Sequence, residues 1–286
     1  MHSTARLPVN CRKKCNRNGG VVGIFTIVRV TLKGIFRDRV FHGILMVALI
    51  LPLIPVISTL SMRQVTELSI TLGLSLISFI MLLLAVFLGG TSIWKDMERR
   101  YTYSVLSLPL SRTSYLLGRF IGMALFLLLT ALLMGCIALM VFWFVSGSYP
   151  PDRPIAWMNI VCAVFFDALK YILLVAIAML FSTVSTSFFL PIFCTISTFL
   201  VGNASQQVYD YIHSPAGETL PVFTRRCATG LYYVLPNFSA FDLKVHAIYG
   251  VPLAVKGIAL TLGYVIVYGA VILSIAAALF SRREMK

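Results

Sequence analysis

The sequence has 286 residues, of which 59% are hydrophobic and only 12% are charged, and its formal net charge is +14. Soluble globular domains have about 25% charged residues, so this composition excludes a water-soluble domain and indicates a surface in contact with lipid. The cations lie in short segments beside apolar stretches, not on one polar domain with base-stacking aromatics, which argues against a nucleic-acid partner.

Residues 1–20 form a basic tail that contains Cys11 and Cys15. Two thiols without nearby histidines make a weak zinc site, so we expect reduced cysteines and no metal. The tail resembles the charged front of a signal peptide, but no small-residue cleavage site follows the first apolar run. We therefore predict that this run is retained as a membrane span.

Residues 21–40 carry Arg29, Lys33 and Arg37 one helical turn apart, which places them on one helix face. A helix of this kind, next to a membrane span, is typical of an amphipathic interfacial helix, with its apolar side in lipid and its basic side at anionic headgroups. The apolar residues that fall mostly on the other face are Phe25, Val28, Leu32, Ile35 and Phe36.

Residues 41–286 form a predicted six-helix transmembrane domain, so the fold class is an all-α membrane protein. A span needs roughly 20 apolar residues. The fifth is the shortest and is followed by Gly202; because it contains Pro191, we expect a kink or an incomplete crossing. The six predicted spans are Phe41–Leu60, Leu68–Trp94, Leu116–Val145, Asn159–Phe181, Ser187–Val201 and Gly257–Phe280.

The lysines and arginines predict the orientation. They are concentrated before the first span, between spans two and three, and after the last span. Positive charge marks the cytoplasm, so both termini are predicted to be cytoplasmic, in the inner (plasma) membrane. The opposite side has fewer cations, namely Arg63, Arg153, Arg225, Arg226, Lys244 and Lys256.

Two connections are long enough to carry structure. The cytoplasmic one, residues 95–115, is charged, contains Pro109, and has room for a short helix and a turn. The outer one, residues 202–256, is rich in tyrosine and phenylalanine, which predicts that it folds back onto the bilayer surface.

Motifs for chemistry are missing from the sequence. It has no phosphate-binding loop, no His-Glu-x-x-His, no Cys-x-x-Cys and no Gly-x-Ser-x-Gly.

Within the spans, Asp167 and Lys170 are three residues apart on one helix face. Two interpretations stay open, a polar site that lines a pathway and a mutually neutralising pair that keeps the span turned toward protein. Gly118 and Gly122 make a small-xxx-small pair suited to close helix approach.

The segment after span two resembles the membrane subunits of ABC-2 type ABC transporters. Asp96 and Glu98 match an acidic stretch of that family, and residues 106–112 match its Leu-Ser-x-Pro-Leu-Ser-Arg turn. Residues 118–119, Gly-Arg, match the start of its third span, and the outer residues 235–242 also resemble a family pattern. Together with six spans and an N-terminal interfacial helix, the resemblance covers nearly the whole chain.

The resemblance implies a permease subunit with an ABC-2 exporter-like fold and no nucleotide site of its own. ATP and Mg²⁺ would be bound by a separate cytoplasmic ATPase, and a second permease copy, identical or related, would complete the transporter. A charged segment with apolar residues could dock in a groove of that soluble partner. The implied ATPase-coupling residues are Asp96, Glu98, Arg99, Arg100, Tyr101, Leu106, Pro109, Ser111 and Arg112.

Two other functions remain open at the level of the sequence. One is a non-transport membrane anchor or assembly factor whose outer loop recruits a partner. The other is an ion-coupled secondary carrier centred on Asp167 and Lys170, although the inverted repeat typical of such carriers is not evident. The substrate and the direction of transport do not follow from the sequence, and export is the commoner role in the family.

Overall fold

The computed structural model describes residues 25–37, 42, 43, 46, 53–58, 65–98, 112–149, 154–185, 187–215 and 221–282. Within these ranges the regular structure is helical throughout, without a strand, which confirms the all-α class. The helices are α1 (residues 25–36), α2 (Ile54–Ser58), α3 (Val65–Glu98), α4 (Arg112–Ser148), α5 (Trp157–Val184), α6 (Phe189–Ile212), α7 (Val222–Val234), α8 (Lys244–Tyr249) and α9 (Val255–Arg282), with a 3₁₀ turn at Ser239–Phe241.

Four helices in the described part of the chain are long and apolar enough to cross a membrane. They are α3 as far as Ser92, α4, α5 and α9, and they coincide with predicted spans two, three, four and six. Predicted span one, Phe41–Leu60, lies mostly outside the described residues, and α6 is not among the four. The chain is therefore a multi-pass membrane protein, and the count of six spans stays a prediction.

Helix α6 corresponds to the fifth predicted span and differs from it in length and shape. It runs unbroken for 24 residues, as far as Ile212, well beyond the predicted end at Val201. Pro191 is its third residue, within the first turn, where the missing N–H of proline has no helical partner to lose. No break occurs at this position. Polar residues in the second half, such as Gln206 and Asp210, make α6 less apolar than the other long helices.

Helix α5 is the centre of the bundle. It packs against α3, α4, α6, α8 and α9, and each residue from Lys170 to Met179 is buried. A helix that is covered on all sides is expected to be hydrophobic all round, and apart from Asp167 and Lys170 the sequence of α5 has that character. Helix α9, in contrast, exposes most of its apolar surface.

Close helix approach depends on glycines at two contacts. A Cβ on Gly89 of α3 would lie 2.6 Å from the Cβ of Ala178 and 3.3 Å from the backbone of Val175, both in α5. A Cβ on Gly122 of α4 would lie 2.8 Å from the Cβ of Thr31 in α1. Membrane helices associate largely through such close packing, because lipid tails are as apolar as the helix surfaces.

Helix α1 packs against the bundle on one side. Val28, Thr31 and Ile35 are buried, and Phe36 contacts Phe126 of α4 edge-on at 5.4 Å between ring centroids. The expectation that the apolar side faces lipid is thus wrong for Val28 and Ile35, which are buried in the bundle.

The basic face of α1 points away from the bundle. The three cations predicted for this face are all exposed. They are spaced about one helical turn apart, so they share one side of α1, opposite the side that packs on the bundle. These residues are Arg29, Lys33 and Arg37.

We expect Gly89→Ala to destabilise the protein by about 1–3 kcal/mol, because the added methyl forces α3 away from α5. Gly263→Ala is the matched control, since a Cβ on Gly263 of α9 meets nothing within 4 Å. Thermal unfolding in detergent measures both variants. Equal midpoints for the two variants would contradict the tight α3–α5 contact.

Candidate functional site

The predicted coupling segment, residues 95–115, is described only at its two ends. Helix α3 continues through residues 95–98, so Asp96 and Glu98 belong to its last turn. Arg112 begins α4, and its Nη1 donates to the carbonyl of Ser281 in α9 at 3.3 Å. The chain thus enters and leaves this segment through long helices of the bundle.

The remaining coupling residues lie outside the described part of the chain. Their predicted contact with an ATPase therefore rests on the sequence alone. The structure describes only the two helices that flank them. These residues are Arg99, Arg100, Tyr101, Leu106, Pro109 and Ser111.

The intramembrane residue Asp167 belongs to a hydrogen-bonded cluster. Ser78 of α3 donates to Asp167 Oδ1 at 3.1 Å, and the hydroxyls of Ser78 and Tyr171 are 2.7 Å apart. Since the Ser78 proton points to the carboxylate, Tyr171 is the donor in the second bond, and the chain of donors ends on Asp167. Polar contacts therefore join α3 to α5 within two candidate membrane spans.

Lys170 has a different environment from Asp167, although the two share one helix face. Its side chain is 5% exposed, and its Nζ lies 5.1 Å from the ring centre of Phe199 and 5.6 Å from that of Tyr171. Among the described residues, no carboxylate lies within ion-pair distance of this ammonium group. Lys170 and Asp167 therefore form no direct salt bridge, although each charge lies in the electrostatic field of the other, and the aromatic faces of Phe199 and Tyr171 also attract the cation.

Residues 235–249, which we call the outer cap, close one end of the bundle. Following the predicted orientation, we call this end the outer end. Phe238 and Phe241 of the cap are 0% and 1% exposed. Phe238 contacts Phe199 of α6 at 5.8 Å between ring centroids, and Phe199 stacks on Tyr171 at 6.0 Å. A row of three rings thus connects the cap to the polar cluster.

Hydrogen bonds hold the backbone of the outer cap inside the bundle. The Phe238 N–H donates to the carbonyl of Gly202 at 3.3 Å, and the Asn237 N–H donates to the hydroxyl of Tyr264 at 3.1 Å. Asn237 Nδ2 donates to Gln206 Oε1 at 2.8 Å. Because Tyr264 lies more than two turns inside α9, the cap extends along that candidate span beyond its first two turns. Within a bilayer, irregular backbone is tolerated only when protein surrounds it or a water-filled cavity adjoins it.

The outer cap also covers Asp167. A cavity of about 10 Å³ lies between Asp167, Asp242 and Lys244, which is the space of a single water molecule. Asn159 at the start of α5 donates to the carbonyl of His246 at 3.0 Å and so anchors the last part of the cap. The outer cap therefore covers the polar cluster in part and leaves Asp167 half-buried.

The outer connection differs from its prediction in two ways. Residues 202–212 are the end of α6, and the outer cap enters the bundle instead of lying on the bilayer surface. Sequence reasoning also missed Ser78, Tyr171 and Asn237 as members of the site. Single polar residues in apolar spans give no periodic signal, and the family-like pattern at residues 235–242 pointed to Asn237 without giving it a role.

We expect Gly202→Ala to release the outer cap, because the new Cβ would lie 2.5 Å from the carbonyl oxygen of Pro236 and 2.6 Å from the ring of Phe238. Hydrogen exchange measures the effect: a cost of about 1.4 kcal/mol speeds the exchange of the Phe238 amide roughly tenfold. Gly230→Ala in α7, where a Cβ meets nothing within 4 Å, is the control. Unchanged exchange in Gly202→Ala would contradict the packing of the cap.

Comparison with known families gives one clear match. A family described as ABC-2 family transporter protein matches residues 57–285, which is most of the chain. A comparison with curated proteins finds no match. The matched region includes the four candidate spans, the polar cluster and the outer cap. The chain belongs to the ABC-2 family, as the permease component of an ABC transporter.

Proposed function

We propose that this permease exports a substrate as a dimer, with a second copy of itself or a related subunit, and is driven by a separate cytoplasmic ATPase. The chain would catalyse no reaction of its own. ATP and Mg²⁺ would be bound by the ATPase, and the energy of hydrolysis would switch the packing of the spans.

The observation that carries the proposal is that the outer cap covers a polar cluster within the bundle. Lys170 is buried and Asp167 is half-buried, and the buried rings of Phe238 and Phe241 pack on their outer side. A substrate released on the outer side requires this cap to move. The cap has discrete contacts with α5, α6 and α9, so its displacement is a change between two packed arrangements, whose populations ATP binding and hydrolysis by the ATPase would shift.

We assign the contact with the ATPase to the segment that joins α3 to α4. Both helices are long, 34 and 37 residues, so they extend beyond a hydrocarbon core that about 20 residues cross. If the segment between them is displaced, α3 and α4 would transmit the movement along the whole length of the bundle. The residues proposed to contact the ATPase are Asp96, Glu98, Arg99, Arg100, Tyr101, Leu106, Pro109, Ser111 and Arg112.

The proposed orientation places both termini in the cytoplasm and the chain in the plasma membrane. Helix α1 would then lie at the inner membrane surface, one side against α4 and the exposed side, with Arg29, Lys33 and Arg37, toward anionic headgroups. This arrangement puts the proposed ATPase contact and α1 on the same side of the membrane.

An ion-coupled carrier is the second candidate, because Asp167 accepts a chain of donors and Lys170 is buried nearby. Intramembrane charges of this kind often mark ion pathways. The two functions differ in their energy source. An ion-coupled carrier works without an ATPase, whereas the proposed exporter is inactive without one. A membrane anchor would show no transport in either case.

We expect Glu98→Arg and Leu106→Asp each to reduce co-purification of the ATPase at least about tenfold, because each removes a predicted contact at the centre of the interface. The ATPases tested are the products of neighbouring reading frames that contain a phosphate-binding loop. Glu67→Arg is the matched control, since it makes the same charge change at the opposite end of α3.

Normal co-purification of the ATPase with both variants would contradict the assignment of the interface to this segment. Loss of the ATPase in the Glu67→Arg control as well would mean that the charge change acts through the fold of α3. Absence of any ATPase in the wild-type preparation would contradict the proposed function itself.

A further inference from the structure

The start of α4 is the meeting point of four helices at the inner end of the bundle. Arg119, two turns into α4, donates from Nη2 to the carbonyl of Ser92 in α3 at 3.2 Å. Ser92 lies less than two turns before the end of α3 at Glu98. The helices on either side of the proposed ATPase contact are thus bonded to each other just inside it.

The same part of α4 also holds the end of α9. Tyr115 stacks on Phe280 at 6.2 Å between ring centroids, and both side chains are buried. The Arg112 bond to the carbonyl of Ser281 lies beside this pair. Cations near a helix C-terminus complement its free carbonyls and the negative end of its dipole, which suits the last turn of α9.

Helix α1 joins α4 one turn further along. Thr31 of α1 packs closely against Gly122, where a Cβ would clash, and Phe126 contacts Phe36. Arg119 precedes Gly122 by three positions and Phe126 follows it by four, so the three lie on neighbouring parts of one helix surface. The first four turns of α4 therefore touch α1, α3 and α9.

We propose that Arg119 is a positioning residue that locks α3 to α4, so that a push on the segment between them moves α1, α3, α4 and α9 together. This inference rests on the proposed function. Without the lock, force on the segment would bend the last turn of α3 or the first turn of α4, where helix ends are least stable. The lock instead transmits the displacement to the outer end.

The inference gives a role to the basic residue of the Leu-Gly-Arg pattern at the start of the third predicted span. A hydrogen bond from a charged donor is stronger than one from a neutral donor, above all when it is shielded from water, and the Arg119 side chain is partly buried. Lysine keeps the charge with a single compact donor group, so it should restore part of the contact.

The test uses the permease with its ATPase in lipid nanodiscs. Cys11 and Cys15 are replaced by serine, and the exposed Cys227 in α7 reacts with a charged maleimide, which does not enter lipid. The rate of this reaction reports on α7, which packs on α6 and leads into the outer cap. It is compared without nucleotide and after trapping with ATP and vanadate. The variants are Arg119→Met, which removes the donor, Arg119→Lys, which keeps the charge, and Arg282→Met, which removes an arginine charge from the same end of the bundle.

We expect the wild-type protein and Arg282→Met to show the same nucleotide-dependent change in the Cys227 rate. In Arg119→Met this change should fall about three- to tenfold, with ATPase binding and thermal stability retained, and Arg119→Lys should be intermediate. A full response in Arg119→Met, or an equal loss in Arg282→Met, would overturn the role of Arg119. A wild-type preparation without bound ATPase would instead overturn the proposed function.

If Arg119→Met fails to fold, Arg119→Gln takes its place, because it removes the guanidinium group and keeps a polar side chain at this half-buried position. An unchanged response in that variant would then overturn the inference. A reduced response with normal ATPase binding would support it.

Discussion

The tight contact of α5 with its neighbours is the constraint on which the rest of the structure depends. Residues 170–179 are buried on every side, and Gly89 of α3 lets Ala178 and the backbone of Val175 approach closely. In a membrane, helices gain little from hiding apolar surface from one another, so packing and polar contacts decide which faces meet. Helix α5 thereby determines where α3, α4, α6 and α9 stand.

The central position of α5 also explains how its charged residues are tolerated. Asp167 accepts a hydrogen bond from the Ser78 hydroxyl, and Lys170 lies against the rings of Phe199 and Tyr171. A helix at the edge of the bundle would expose these groups to lipid at a cost of about 2.5 kcal/mol or more for each charge. The outer cap adds to their burial, and its own backbone is tolerated inside the bundle because groups on α6 and α9 accept its hydrogen bonds.

The two ends of the bundle are built differently. At the outer end, the cap lies against α5, α6 and α9 and covers the polar cluster in part. At the inner end, α4 is bonded to α3 and α9 through arginine side chains and packs on α1. Under the proposed function, a bundle joined at one end and capped at the other by a separate segment would transmit a displacement from inside to outside.

Much of the fold follows from the sequence, because long apolar runs have few alternatives in lipid. Spans two, three, four and six were predictable in this way, as was the basic face of α1. The extent of α6 was not, since polar residues such as Gln206 suggest a loop, whereas the structure pairs Gln206 with Asn237 of the cap. The hydrogen bond between Ser78 and Asp167 was not predictable either, because residues 89 positions apart in the sequence leave no local pattern.

The central claim is that an ATPase on the inner side moves the cap on the outer side. Spin labels at Val245 in α8 and at Phe144 near the outer end of α4, both exposed, measure this movement as a distance. The account predicts a distance that changes when ATP and vanadate trap the complete transporter, and that stays constant for the permease without its ATPase. The same distance in the trapped and nucleotide-free complex would contradict it.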